Sequence, residues 1–272
     1  MEFTFTLSIM SSIRQQTRPS NPLFGTTLPQ TLAPAATFSP LYQQIKSLLL
    51  SSLQAGEWQP GSPIPSEMEL AARFEVSQGT VRKAIDELAT ENLLVRRQGK
   101  GTFVASHHSE AWQYRFLSLV PDSGEKVPLK SHFLSCNTVK PSSNVSRLLK
   151  LGSGESVIQI DRVQSASGKA IVYEQIWLAK KRFVGMTLNR LVTWPGPLYA
   201  FYESEFATHM VRAEEKIKAI AADSASAAYL QLELRAPLLL VERVSFTYGN
   251  KPVEIRRAHY DTTQQHYENK LN

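Results

Sequence analysis

A single cysteine, Cys136, stands in 272 residues. One thiol excludes an internal disulfide and fits a reducing compartment. Its setting beside His132, Phe133 and Leu134 reads as a small buried side chain rather than a reactive thiol. No apolar run reaches the roughly 18 residues of a membrane-spanning helix, so no such helix is expected. Also missing are a Walker loop, a dinucleotide glycine fingerprint, zinc-spaced Cys and His, and a nucleophile elbow. No cofactor or metal is therefore implied. His107 and His108 form an isolated pair expected to be solvated, and His259 and His266 lack the companions a metal needs. Charge is scarce in the first 38 residues, which carry only Glu2, Arg14 and Arg18. Together with their Ser, Thr and Pro content this reads as a disordered tail over 1–38. Glu2 precedes the short apolar run Phe3 to Met10 where a secretory signal would have a basic start. An organellar transit peptide, or initiation at Met10, is the alternative reading of that tail.

What remains is a chain of 42% hydrophobic and 20% charged residues, enough to bury two ordinary cores. Its formal charge is +6, which favours polyanions only weakly as a global figure. Between residues 37 and 107 seven Lys or Arg (46, 73, 82, 83, 96, 97, 100) face seven Asp or Glu (57, 67, 69, 75, 86, 87, 91). Any anion binding there must rest on cations gathered on one face.

Ser39-Pro40 reads as a cap with proline at the first helical position, and Leu41, Ile45, Leu48 and Leu49 recur at helical spacing up to Gly56. The stretch GEWQPGSPIPSE, Gly56 to Glu67, holds three prolines and two glycines and must turn. Ser66 and Glu69 form a capping box for a second helix bearing Leu70, Ala71 and Phe74. After the break Glu75 to Ser77, Ser77 caps a third helix with Val81, Ala84, Ile85 and Leu88 on one face. Its other face carries Gln78, Gly79, Thr80, Arg82 and Lys83. That is the helix-turn-helix pattern, in which the start of the second helix meets base edges. A short helical hairpin with a solvated polar face is the alternative.

The nine residues RRQGKGTFV, Arg96 to Val104, weigh against that alternative. Leu93, Leu94 and Val95 run into Arg96-Arg97, the stretch Gln98-Gly99-Lys100-Gly101 turns, and Thr102-Phe103-Val104 returns with strand propensity. A hairpin beside a helix-turn-helix is a wing. Gly99 and Gly101 let the backbone approach a duplex, and Arg96, Arg97 and Lys100 supply charge for phosphates.

The run Gly56 to Val104 resembles the winged helix of the GntR superfamily of bacterial transcription regulators. The resemblance implies that double-stranded operator DNA is the partner. It places Ser66, Glu67, Ser77, Gln78, Gly79, Thr80, Arg82, Lys83, Arg96, Arg97, Gln98, Gly99 and Lys100 at the interface, with Gly99 entering the minor groove. Two positions depart from the family, Met68 and Gln78 standing where arginine is usual. Glutamine pairs with adenine where arginine prefers guanine, so an altered operator is expected.

Beyond the joint, residues 142–174 and 224–254 form an approximate repeat. Each copy has a helical turn, a strand with an acidic-Arg-Val triplet, a glycine turn and a strand ending in glutamate. Two equivalent hairpins in one antiparallel sheet follow, in an α+β fold with helices on one side. Alternation puts Ile158, Ile160, Arg162 and Gln164 on one face, and Ala170, Val172, Glu174, Ile176 and Leu178 on one face of the next strand. Arg162 with Glu174 is then either a buried ion pair or the wall of a pocket for a small anion. Glu254 and Tyr260, six apart, share a strand face near it.

Residues from about Phe116 to Tyr267, including DRVQSASGKAIVYEQIWL, PLYAFYE, EEKIKAIAAD and APLLLVERV, resemble the UTRA ligand-sensing domain of the HutC subfamily, whose fold is similar to chorismate lyase. The resemblance implies that Arg162, Gln164, Glu174, Tyr199, Glu254 and Tyr260 line a site for a small-molecule effector. Gln164 replaces the second arginine of the family's phosphate grip and Pro197 its usual serine, so a carboxylate or other singly charged metabolite is expected rather than a phosphate dianion. The organisation expected is a tail (1–38), a winged helix-turn-helix (39–106), a linker (107–115) and a UTRA domain (116–270). The function expected is a homodimeric, cytoplasmic bacterial repressor, located on the nucleoid when DNA-bound and released from its operator by the effector. Transcriptional activation and a lyase-like enzyme with a DNA-binding appendage are the alternatives.

Overall fold

The computed structural model describes residues 39–108, 119–124 and 128–268. The tail read over 1–38 and most of the linker read over 107–115 lie outside them.

Helix α1 spans Leu41–Ala55. Pro40 is itself the N-cap, in extended conformation and without a side-chain cap; the Ser39 carbonyl instead accepts from Gln44 Nε2 at 2.8 Å. The expected Ser39 cap is corrected accordingly. Gly56, at φ 73°, closes the helix by donating to the Leu53 and Ser52 carbonyls, a left-handed turn that favours glycine. The proline-rich turn leads to α2, Glu67–Arg73, whose Ser66–Glu69 capping box is complete. Ser77 caps α3, Gln78–Thr90, by accepting from the Thr80 N–H. The α3 stripe Val81, Ala84, Ile85 and Leu88 is fully buried against Ile45, Leu49 and Leu53 of α1 and Leu70 of α2.

Strands β1 (Leu94–Arg97) and β2 (Gly101–Val104) pair antiparallel, Leu94 opposite Val104 and Arg97 opposite Gly101. The turn between them closes with Lys100 N–H donating to the Arg97 carbonyl at 2.9 Å. Residues before α2 add to the other edge of β2: Ile64 N–H donates to Thr102 O and Val104 N–H to Ser62 O, both at 2.9 Å. The wing is thus anchored along both edges of its second strand.

The remainder is built on a six-stranded antiparallel sheet. After the short β3 (Leu119–Pro121) come β4 (Lys130–Val139), helix α4 (Ser143–Leu148), β5 (Val157–Ala166), β6 (Lys169–Ala179), helices α5 (Leu188–Thr193) and α6 (Leu198–Phe206), β7 (Arg212–Ala221), helix α7 (Ser224–Leu230), β8 (Pro237–Thr247), β9 (Lys251–Tyr260) and β10 (Gln265–Tyr267). The sheet order is β4-β5-β6-β9-β8-β7, and β3 pairs with β10 apart from it. Each half reads strand, helix, hairpin, and the halves join along β6 and β9. The internal repeat is therefore realised as two equivalent hairpins. The first turns through Ser167 and Gly168, both left-handed at φ 48° and 83°, the two-residue geometry that matches strand twist.

The helices do not lie on one side. Leu191 of α5 and Leu198, Phe201 and Tyr202 of α6 pack on Ile158, Ile160, Ile176 and Leu178. On the reverse face Ala227 and Leu230 of α7 pack on Val163 and Tyr173, and Val145 of α4 packs on Val157 and Ile255. Both faces of the central strands are apolar enough to need covering, which is why the single-layer expectation fails. Cys136 is half-buried rather than buried, and burial pushes its thiol pKa up, in keeping with an inert side chain.

Candidate functional site

The winged segment presents its polar residues on one surface, and one carboxylate organises them. Glu67, at the start of α2, accepts from Arg82 Nε at 2.9 Å, from Gln78 Nε2 at 3.2 Å and from both terminal nitrogens of Arg96 at 3.0 Å. Partial burial alone would push its carboxyl up, but these donors hold it below the usual range. Arg96 also reaches Asp86 Oδ1 at 2.7 and 3.0 Å. The wing is therefore tied to α2 and α3 through Arg96, whose guanidinium bonds Glu67 and Asp86. Arg97 stacks over Phe103, its guanidinium carbon 4.4 Å from the ring centre. Lys83 sits 3.9 Å from the centre of the Tyr42 ring on α1.

Ser66 and Ser77 spend their hydroxyls as caps, and Ser77 Oγ also bonds Thr80 Oγ1 at 2.9 Å. Gly79 is exposed on the first turn of α3, and Gln98, Gly99 and Lys100 are exposed at the wing tip. Gly99 has φ 69° with nothing within 4 Å of the position a Cβ would take. The tip can lie against another surface without rearranging.

The second candidate site is a cavity of about 660 Å³ over the β5, β6, β9 and β8 face, roofed by α5, α6 and the Trp194 to Pro197 loop. Arg162, Gln164, Glu174, Tyr199 and Tyr260 line it; the expectation for Glu254 is corrected, because it is fully buried behind the Tyr199 hydroxyl and is not part of the lining. Glu174 accepts from Arg162 through Nε at 2.8 Å and through a terminal nitrogen. Arg256 approaches the other Glu174 oxygen at 3.5 Å and grips Glu254 through Nε and a terminal nitrogen at 3.2 and 3.1 Å. The Tyr199 hydroxyl donates to Glu254 at 2.8 Å. Gln164 Nε2 comes within 3.5 Å of Ser131 Oγ on β4.

Glu174 is 1% exposed and Glu254 is fully enclosed. Burial opposes the charge on Glu174, yet Arg162 and Arg256 hold its carboxyl below the ordinary range. The buried ion pair and the pocket, posed as alternatives by the sequence, are one structure.

Two cavity arginines escaped the sequence reading. Arg256 lies two residues from Glu254, on the same strand face, and period two was signal enough to include it. Arg243 is the repeat partner of Arg162, through the triplets at 161–163 and 242–244; it lines the cavity and bonds Glu215 Oε1 at 2.6 Å. A third correction concerns His107, expected to be solvated. It is 1% exposed, because Glu203, 96 residues away, accepts from its backbone N–H at 3.1 Å and the Met210 carbonyl accepts from its Nε2 at 2.9 Å. His108 is exposed, as expected. His259 is buried beside Tyr173, with ring centres 5.6 Å apart, and His266 pairs with Asp122 at 2.7 Å.

Comparison with known proteins gives these sites a context. Residues 41–104 match the model of the bacterial regulatory proteins of the gntR family, and residues 125–266, more than half of the chain, match the UTRA domain. The chain is 28% identical over 224 residues to the histidine utilization repressor of Pseudomonas putida, covering 80% of this chain and 87% of that protein. It is 27% identical over 222 residues to the transcriptional repressor NagR of Bacillus subtilis, covering 81% and 90%. Among solved structures, the ligand-binding domain of a GntR-family regulator from Bordetella bronchiseptica superposes with a TM-score of 0.57 at 41% identity, over 58% of this chain and 99% of that one. The regulator YydK of Bacillus subtilis, at 20% identity and a TM-score of 0.53 over 85% of this chain and all of the other, shares the fold. No described helix is long and apolar enough to cross a membrane. With its winged helix followed by a UTRA domain, the chain belongs to the gntR family of bacterial regulatory proteins.

Proposed function

We propose that the protein is a ligand-responsive transcription repressor that binds operator DNA through residues 39–106 and leaves it when a small anion fills the cavity of residues 116–270, across a joint at 107–115. The observation that carries this reading is the pairing, in one chain, of an exposed glycine-bearing wing tip and recognition turn with a cavity walled by arginines. The DNA contacts are Gln78, Gly79, Thr80 and Arg82 toward bases or phosphates, and Lys83, Arg97, Gln98, Gly99 and Lys100 toward the backbone. Ser66, Glu67, Ser77 and Arg96 support them by holding the helix starts and the wing in place. A homodimer fits a palindromic operator, because a two-fold protein matches two-fold half-sites. It acts in the bacterial cytoplasm, on the nucleoid.

The effector proposed is a carboxylate, held by Arg162, Gln164, Arg243 and Arg256, whose side chains line the cavity, with Tyr199 and Tyr260 at its edge. A histidine-utilization relative is in keeping with that chemistry. Every buried guanidinium named has a carboxylate partner already, so a dianion would meet little uncompensated charge. For the same reason the cavity reads as a sensor and not as an active site: Glu174 is locked as a carboxylate between guanidiniums, whereas a general acid or base needs a pKa near the working pH. To clear the operator, the effector must bind the DNA-incompetent state better, by about 1–3 kcal/mol for typical coupling.

The test is an unbiased selection of duplex DNA by the purified protein, followed by titration of the selected site with carboxylates and sugar phosphates. A palindrome released by a carboxylate, with loss of adenine preference in Gln78→Ala, is expected. Failure to enrich any sequence would overturn the reading, and tighter binding of sugar phosphates than of every carboxylate would overturn the effector class.

A further inference from the structure

The joint between the winged helix and the sheet holds a cluster that neither proposed site uses. His107 follows β2 by three residues, Glu203 lies on the last turns of α6, and His209 precedes β7. Their ligand-capable atoms all lie within 4.8 Å of one another, and the three residues are 1%, 8% and 2% exposed. No other group of three or more His, Cys, Asp or Glu side chains among the described residues is drawn together in this way. We propose that His107, Glu203 and His209 form a site for a divalent transition-metal ion of the zinc class, clamping the DNA-binding segment to the effector domain.

The donor set is the one such ions take: two imidazoles and one carboxylate, leaving a fourth position for solvent. A backbone carbonyl can only accept, so the Met210 bond fixes the proton of His107 on Nε2 and leaves the lone pair on Nδ1. That carbonyl is the kind of outer partner that orients metal-bound histidines. His209 Nδ1 stands 2.6 Å from Glu203 Oε2, a separation that two ligands of one ion can adopt with small movement. As the ion binds, the proton shared in that contact leaves to solvent and the two ligand atoms turn to the metal. The second oxygen, Glu203 Oε1, accepts from Ser106 Oγ at 2.5 Å and the His107 N–H also points at the carboxylate, so the acid is pre-oriented. The rings of His107 and His209 lie 4.7 Å apart, so an ion between their nitrogens requires the rings to part slightly. An entry path exists, since His107 also lines the effector cavity. Burial favours neutralising the carboxylate with a cation, and an ion held by His107 on one side and by the 203–209 stretch on the other would tie the two segments together as the protein folds.

The experiment uses the untagged full-length protein, stripped with a chelator and titrated with Zn²⁺ against a chromophoric competitor, then with Co²⁺ by visible absorption. One equivalent per chain is expected, with cobalt bands of a four-coordinate site. His107→Ala and His209→Ala should each weaken binding by more than about 100-fold, beyond the roughly 10–100-fold that follows the loss of an outer-shell partner. His107→Cys should keep one equivalent and acquire a cobalt-thiolate charge-transfer band absent from the parent. This variant decides the matter if the alanine proteins fail to fold. Absence of stoichiometric binding, binding undiminished in both folded alanine variants, or a cysteine variant without the thiolate band would each overturn the site.

Discussion

Glu174→Gln is the perturbation whose outcome the structure fixes most tightly. The Glu174 carboxylate is 1% exposed and is the main partner of Arg162, itself 4% exposed, with Arg256 approaching its far oxygen. The amide keeps the shape and removes the charge. Arg162 then keeps a neutral amide oxygen and the Ser131 hydroxyl at 3.3 Å as acceptors but no counter-charge, and Arg256 must rely on Glu254. Breaking a buried pair at one end costs about 3–5 kcal/mol, because the other charge stays uncompensated in a low dielectric. At about 2–4 °C per kcal/mol for a domain of this size, the melting temperature falls by ~6–20 °C. Removing both ends together, as Arg162→Met with Glu174→Met, leaves no lone charge and should cost far less than the sum of the single changes. Urea unfolding of wild type, both single variants and the double variant, followed by circular dichroism, closes the cycle. Burial opposes ionisation of Glu174, but the two arginines bring its pKa below the unfolded value. Its contribution is therefore complete above the unfolded carboxyl pKa of about 4.3 and is lost as pH falls through the folded one. Wild type and Glu174→Gln should converge in stability at acid pH and diverge above it. A single variant within about 0.5 kcal/mol of wild type, or a cycle that is additive within the same margin, would refute the reasoning.

Other perturbations separate contact from support. Lys100→Ala and Arg82→Ala should each lower the magnitude of the salt slope of DNA binding by about 1, as expected for a lost phosphate contact, read by fluorescence anisotropy across a salt series. Arg96→Ala should leave that slope nearly unchanged while weakening binding at every salt concentration, because Arg96 spends its donors on Glu67 and Asp86. Ser66→Ala removes the reciprocal cap of α2 and should cost about 0.5–2 kcal/mol of stability by thermal denaturation, with the operator sequence preference retained.

Much of this molecule was legible because its signals are local. The Ser66–Glu69 box, the Ser77 cap and the stripe from Val81 to Leu88 each fall within one or two helical turns, and each stands where the spacing put it. The wing and the repeated hairpins announced themselves through glycine turns flanked by strand-forming residues. Arg256 was missed although parity pointed to it, and Arg243 although the repeat did. His107 is different in kind. Its backbone and ring partners lie 96 and 103 residues away, and nothing in its own neighbourhood distinguishes it from the solvated His108. The coverage of both sheet faces likewise depends on where α4 and α7 return, which the alternation within β5 and β6 does not state.

Helix α6 gives the two halves a common part. Tyr199 on its first turn lines the cavity and donates to the buried Glu254, and Glu203, four residues on and so on the same helical face, receives Ser106 and the His107 N–H from the end of the winged segment. A second contact runs outside the helix: Tyr248, in the turn between β8 and β9, and Val211, just before β7, pack against the core that α1, α2 and α3 share. A carboxylate that competes with Glu254 for the Tyr199 hydroxyl therefore acts on an element that also holds the DNA-binding segment. The cavity needs no distant relay, because one turn of its roofing helix separates Tyr199 from the joint.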